Sequence, residues 1–146
     1  MVDVSEKAVT LREARATAAV VMSEAAFAAA ASGNLPKGDL LSVVRLAGVM
    51  AAKRTHELVP MCHPLRLTGI EVDAVLDPAL PGISLAARVR CVERTGAEME
   101  ALTACAVAGL TAIDMIKAVD PWVRVESLGV TSKKGGRSGA RERPGR

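Results

Sequence analysis

Apolar positions along this chain recur with two different periods. Ile70, Val72, Ala74 and Leu76 alternate with Glu71, Asp73 and Val75, and Ile83, Leu85, Ala87, Val89 and Cys91 alternate with Ser84, Ala86, Arg88 and Arg90. A period of two marks half-buried strands. The intervening Asp77-Pro78-Ala79-Leu80-Pro81-Gly82 is turn chemistry, so the stretch predicts an antiparallel hairpin. Beyond Thr95 or Gly96 the period changes. Met99, Leu102, Ala106, Gly109, Ile113 and Ile116 are spaced by three and four in turn, one continuous stripe on a helix running to about Val119. Pro121 ends it.

The flanks are less regular. Residues 40–52 carry a helical spread of Leu, Val and Ala behind Asp39, which fits an N-cap. Residues 122–131, WVRVESLGVT, predict a final strand. Residues 12–31, REARATAAVVMSEAAFAAAA, are helical throughout by propensity, although Val20-Val21 and the alternation from Ala14 to Met22 leave room for a strand in the first half. Gly33-Asn34 and Pro36 mark a break.

Composition adds an expectation about assembly. The length of 146 residues fits one domain, and half of the residues are hydrophobic, yet the chain has one Phe, one Trp and no Tyr. Small side chains bury little area each, so a stable core needs close backbone approach or a second subunit. An oligomer is expected. The net charge of +3 is uneven: residues 132–146 hold six Lys or Arg and one Glu, leaving a near-neutral body. That balance argues against a general nucleic-acid binder. Cys62, Cys91 and Cys105 have no metal-binding spacing, and no run approaches the length of an uninterrupted membrane span. The expectation is a cytoplasmic protein with reduced thiols, a domain over residues 1–139, and a disordered basic tail from 140 to 146.

Polar chemistry is sparse where it matters. The long helix has no charge between Ala101 and Ile113. Glu98 and Glu100 near its start and Lys117 near its end suit the helix dipole and need no function. Asp114, in the last two turns, faces the unfavourable end of that dipole, and Lys117 three residues on can pair with it. At 100° per residue Glu100, Thr103, Thr111 and Asp114 share one stripe, either a solvated face or the lining of a pocket. His63, one of two histidines, sits inside VPMCHPLRL between two prolines. It is either a packed core residue or a ligand contact.

Taken together, PKGDL at 36–40, AAKRTHELVPMCHPL at 51–65, TGAEMEALTACAVAGLTAIDMIKAVD at 95–120, MVDVSEKAVTLREARA at 1–16 and SKKGGRSG at 132–139 form a collinear set. It resembles the molybdenum cofactor biosynthesis protein C family, the cyclic pyranopterin monophosphate synthases. The resemblance implies an α+β, ferredoxin-like antiparallel sheet packed against helices, with a strand around residues 12–22. It also implies a homohexamer, a trimer of dimers, with active sites at subunit interfaces. The implied reaction converts 3′,8-cyclo-7,8-dihydroguanosine triphosphate to cyclic pyranopterin monophosphate and pyrophosphate. That chemistry calls for acid–base groups and for cations on phosphate oxygens. No cofactor is required from the sequence, no metal ligands are expected, and Mg²⁺ could accompany the triphosphate.

Carried onto this chain, the family's catalytic pair falls on Asp114 and Lys117, with Asp114 moving a proton or orienting Lys117, and a further active-site lysine falls on Lys37. Its substrate-binding segments fall on Met61, Cys62 and His63 and on Met99 and Glu100. Lys53 and Lys133 are triphosphate contacts, and Gly135 and Gly136 would let the tail loop approach phosphates. The cysteines are expected to be buried small residues and His56 a surface residue standing where many relatives carry an aromatic, while Arg12 and Arg15 either reach a neighbouring subunit or solvate a strand. An RNA-binding module would need aromatics on the central strands, and there are none. A regulatory small-molecule-binding domain would have no reason to combine Lys37, His63, Asp114 and Lys117. The remaining alternative is an accessory paralogue that binds nucleotide without turnover.

Overall fold

The computed structural model describes residues 1–137 and 139–144. Its elements follow the order β1 (Thr10–Val21), α1 (Glu24–Ala31), α2 (Leu40–Lys53), α3 (Thr55–Leu58), β2 (Leu67–Asp77), β3 (Gly82–Glu93), α4 (Glu98–Ile116), β4 (Arg124–Lys134) and β5 (Arg141–Glu142). The strands form one antiparallel sheet in the order β2-β3-β1-β4-β5. A β-α-β-β-α-β succession with this strand order is the ferredoxin-like arrangement, an α+β fold.

β1 resolves the ambiguous start of the chain. Its alanines prefer helix, yet Ala14, Ala16, Ala18 and Val20 are buried while Arg15 points away, so the period-two pattern wins. Tertiary pairing decides it: β1 is central, matched to β3 from Thr10↔Glu93 to Val21↔Gly82 and to β4 on its other side. The helix reading holds only from Glu24. Ser23 separates the two, its side chain accepting a hydrogen bond from the Ala26 amide as N-cap. Asp120 fixes that junction to the far end of the fold by accepting from the amides of Ser23 (2.7 Å) and Trp122 (2.9 Å).

The predicted antiparallel hairpin forms, with Ile70↔Val89, Val72↔Ala87, Ala74↔Leu85 and Leu76↔Ile83 opposite one another. The long helix is shorter at both ends than its periodicity suggests, and the last strand runs on through Lys134. In the segment expected to be disordered, Arg141 and Glu142 pair with Lys133 and Ser132, and the Arg143 amide donates to Thr131 O, because the β4 edge offers unpaired backbone groups. Residues 145 and 146 lie outside the described residues.

The core is made by close approach of small residues, as the lack of aromatics requires. α4 lays Ala101, Ala104, Cys105, Ala108 and Ala112 onto the alanine face of β1, and the Cys105 thiol reaches Ala16 O at 3.4 Å. α2 packs beside α4 on the same side of the sheet. Gly48 makes that possible, since a Cβ there would stand 3.1 Å from Ala104 O and 2.9 Å from Val72 Cγ1. By length and composition α4 could cross a membrane, but more than half of it is buried in this fold. The opposite sheet face is polar, with Glu13, Arg15, Glu71, Arg88 and Arg90 in one ion-pair ladder. Arg15 thus solvates a strand in the single chain.

Candidate functional site

Two groups of polar side chains stand at opposite ends of α4. The first is built on the turn before α2. Leu35 is buried, Pro36 fixes its own φ, and the Gly38 amide donates back to Leu35 O while Gly38 takes φ +87°. Lys37 is therefore presented at the tip of a β-turn. Asp39 locks the next residues as N-cap, accepting from the Ser42 amide at 3.1 Å and from its hydroxyl at 2.6 Å. The turn aims Lys37 at Asp114: its ammonium donates to Asp114 Oδ2, while Lys117 Nζ lies 2.7 Å from Oδ1. Each carboxylate oxygen thus holds one lysine.

Hydrogen bonds from Lys117 and then Lys37 hold the Asp114 carboxyl down at about 2. It is ionised at neutral pH. A carboxylate that accepts from two ammonium groups holds both cations together more readily than it accepts a proton.

The second group surrounds a cleft of about 210 Å³ at the start of α4, lined by Met61, Cys62, His63, Leu65, Thr95, Gly96, Glu98, Met99 and Glu100. His63 is half-buried and forms part of this wall. Cys62 is beside it, its thiol pushed up by burial and by Glu100. Glu100 is 3% exposed, and its Oε2 has no hydrogen-bond partner among the described residues. Burial pushes this carboxyl up to about 7. Glu98, two residues earlier, behaves differently. Burial is the largest influence and pushes its carboxyl up, but the hydrogen bond from Lys133 Nζ at 2.8 Å, its own backbone amide and the charges of Lys133 and Arg12 together leave the pKa lowered. One wall therefore carries an ionised carboxylate and a carboxyl that titrates near neutrality.

Glu98 is a lining residue that sequence reasoning assigned to the helix dipole alone. Gly96 leaves room for it: a Cβ there would stand 1.9 Å from Glu98 Oε2, and the carboxylate would have to move. Lys133 arrives from β4, opposite Ala14, rather than from a loop. The cleft continues past Gly96 and Glu98 into a smaller hollow with Arg12, Lys134 and Arg137. Arg12 is anchored there by donating to Glu93 O (2.9 Å) and Arg94 O (3.0 Å). Gly135 and Gly136, at φ +100° and +71°, make room for Leu11 O and the Arg12 guanidinium respectively, a packing role within the chain.

Other expectations separate. Lys53 ends α2 as an exposed residue outside the lining of the cleft. The polar line down α4 is not one pocket wall: Thr103 is buried and Thr111 donates back to Val107 O at 2.8 Å. Cys91 and Cys105 are buried thiols, both pushed up to about 11 by burial. Among the described residues no group of three or more His, Cys, Asp or Glu could hold a metal ion. Glu100 and Asp114 lie 14 residues apart on one helix, about 21 Å along its axis at 1.5 Å per residue. A single chain does not bring the two groups to the same atoms.

A family model described as the MoaC family matches residues 1–136. The cyclic pyranopterin monophosphate synthase of Methylobacterium nodulans is 54% identical over 142 residues, 97% of this chain and 89% of the relative. The synthase of Chloroflexus aurantiacus is 51% identical over 99% of this chain and 88% of its own length. That of a Nostoc species is 51% identical over 95% of this chain and 83% of its own.

Proposed function

Because the chain belongs to the MoaC family, we infer that it is a cyclic pyranopterin monophosphate synthase, an enzyme of molybdenum cofactor biosynthesis. It converts 3′,8-cyclo-7,8-dihydroguanosine triphosphate to cyclic pyranopterin monophosphate and pyrophosphate, a phosphorus–oxygen lyase reaction. The observation that carries the assignment of roles is the carboxylate of Asp114 shared by Lys37 and Lys117. The reaction opens and recloses a purine-derived ring, then drives a sugar hydroxyl onto the α-phosphorus with loss of pyrophosphate. Two ammonium groups fixed side by side supply positive charge where phosphate oxygens gain negative charge, and either can pass a proton. Asp114 keeps them in place.

The second group supports substrate binding. His63 hydrogen-bonds a phosphate or sugar oxygen, and Glu100 takes the N–H edge of the guanine-derived ring, with Met61, Cys62 and Met99 packing about it. Lys133, beside Arg12 and Lys134, offers charge to the triphosphate, and Lys53 is kept as a peripheral phosphate contact. Any Mg²⁺ travels with the phosphates, since the cleft's one ionised carboxylate, Glu98, is occupied by Lys133. The enzyme takes its substrate between subunits of a homohexamer, a trimer of dimers. Supporting this are the roughly 21 Å between the two groups on one rigid helix and the apolar side chains that a single chain leaves exposed, Leu46, Met50 and Leu110 among them. A cytoplasmic location fits three unpaired cysteines.

The test is turnover of the cyclised dihydro-GTP, following pyrophosphate and pterin product together. Wild-type turnover that falls at least about 100-fold in both Asp114→Asn and Lys117→Ala, the scale of a lost acid–base group, supports the reading. Tight binding without turnover would mark an accessory protein, and absence of both would overturn the assignment.

A further inference from the structure

β4 carries a bulge just before the lysine that reaches the cleft. Its ladder with β1 pairs Ala16 with Val130 and Arg15 with Ser132, and Thr131 falls between them as an extra residue. One extra residue shifts the facing of everything beyond it by one position. Val130 and Lys133 therefore stand opposite Ala16 and Ala14, both buried on the side of the sheet that α4 covers. Strict alternation from Val130 would instead turn Ser132 and Lys134 to that side and send Lys133 to the ion-pair face. Two lysines stand in tandem here, and the bulge decides which one serves the cleft. Lys133 is half-buried, with its Nζ 2.8 Å from Glu98 Oε1, while Lys134 is exposed.

A bulge on a bare sheet edge is held from one side only, and its register is weakly specified. β4 would be such an edge without the last residues of the chain. Arg141 pairs with Lys133 and Glu142 with Ser132. The Arg143 amide donates to Thr131 O at 2.8 Å. The tail thus grips the bulged residue and the two that follow it, one by one, from outside. On the inner side the Thr131 hydroxyl donates to Arg15 O at 3.3 Å, so the extra residue is tied to both neighbouring strands. The Arg143 guanidinium lies over Gly129, where a Cβ would stand 2.9 Å from its Nη1. Arg141, Glu142 and Arg143 are outside the lining of the cleft and of the hollow beside it.

We propose that the segment Arg141–Arg143 is a positioning clasp: it holds the bulge at Thr131, and the bulge turns Lys133 rather than Lys134 toward Glu98 and the cleft. The clasp works through its backbone, by fixing where Lys133 points. Its consequence for turnover rests on the functional reading above, in which Lys133 offers charge to the triphosphate.

Shortening the chain to end at Ala140 tests it, with circular dichroism confirming that each variant is folded. The shortened enzyme should show KM for the cyclised dihydro-GTP raised about tenfold, the scale of one charge-assisted hydrogen bond, at nearly unchanged kcat. Arg143→Pro removes the amide that bonds Thr131 and should shift KM the same way. Arg143→Ala keeps that amide and should not. In a Lys133→Ala background the shortening should add nothing, because both changes remove one contact. Deleting Thr131 from the shortened chain takes out the bulge while leaving Lys133 opposite Ala14, and should bring KM back. Hydrogen exchange read by mass spectrometry gives a measure independent of activity: amides 131–134 should exchange faster without the tail. Unchanged exchange or unchanged KM on shortening, a full further loss in the Lys133→Ala background, or no recovery on deleting Thr131 would overturn the proposal. Wild type that fails to turn over the substrate removes the functional reading alone, and the exchange result then decides the clasp by itself.

Discussion

Asp114 and Glu100 are acidic side chains on one helix, and their surroundings send them in opposite directions. Asp114, ringed by two lysines, sits at about 2, so no limb of a pH–rate profile near neutrality belongs to it. Glu100, buried with one oxygen unpartnered, rises from an ordinary 4.5 to about 7. Because the folded pKa is raised, the contribution of Glu100 to stability is fully present below about 4.5 and is lost as pH rises through about 7. In the chain by itself that difference is on the order of 3 kcal/mol. Glu100→Gln should therefore be less sensitive than wild type to a change from pH 5 to pH 8. Urea unfolding followed by circular dichroism, at dilutions where copies separate, checks this. The sequence showed both residues and their shared stripe. It did not show which would keep its charge, because that depends on the burial of Glu100 and, beside the neighbouring Lys117, on Lys37, which is 77 positions from Asp114 along the chain.

Elements explain how such distant residues meet. α2 and α4 run side by side over the sheet, which puts the turn before α2 at the end of α4, and Asp39 decides where α2 begins. Asp39→Ala removes the acceptor for the Ser42 amide and hydroxyl and should cost about 1 kcal/mol. It should also loosen the placement of Lys37, lowering kcat at unchanged cleft binding. Thermal unfolding and steady-state kinetics on the same preparation read the two effects. The hairpin and the long helix were legible because their apolar periods are unbroken. β1 was legible only through the family resemblance, which implied a strand around residues 12–22; its own alanines carry little strand preference, and pairing with β3 and β4 supplies what propensity lacks. Ser23, a single capping residue inside an alanine-rich run, ends the ambiguity.

At the scale of the molecule the division of the polar groups has a direct consequence. If each site draws Asp114 from one copy and His63 from another, an inactive Asp114→Asn chain and an inactive His63→Ala chain should complement each other. Random pairing makes half of the dimers mixed, and one of the two sites in each mixed dimer carries both native residues. Co-assembly should then restore about a quarter of wild-type turnover, because the two groups act as one unit only when both are native. Turnover that stays at the background of the separate variants would place the whole site within one chain.

The order of residues by itself determined the hairpin, the long helix and the family, because these depend on local periods and on motifs contiguous in the chain. It also required close packing or a partner, since alanines cannot fill a core across a normal gap. Only the tertiary structure decided that Lys37 reaches Asp114, that Lys133 reaches Glu98, and that Glu100 is desolvated. Those facts depend on which elements lie side by side. Burial and charge act through space, over a few ångströms between residues that the chain keeps far apart.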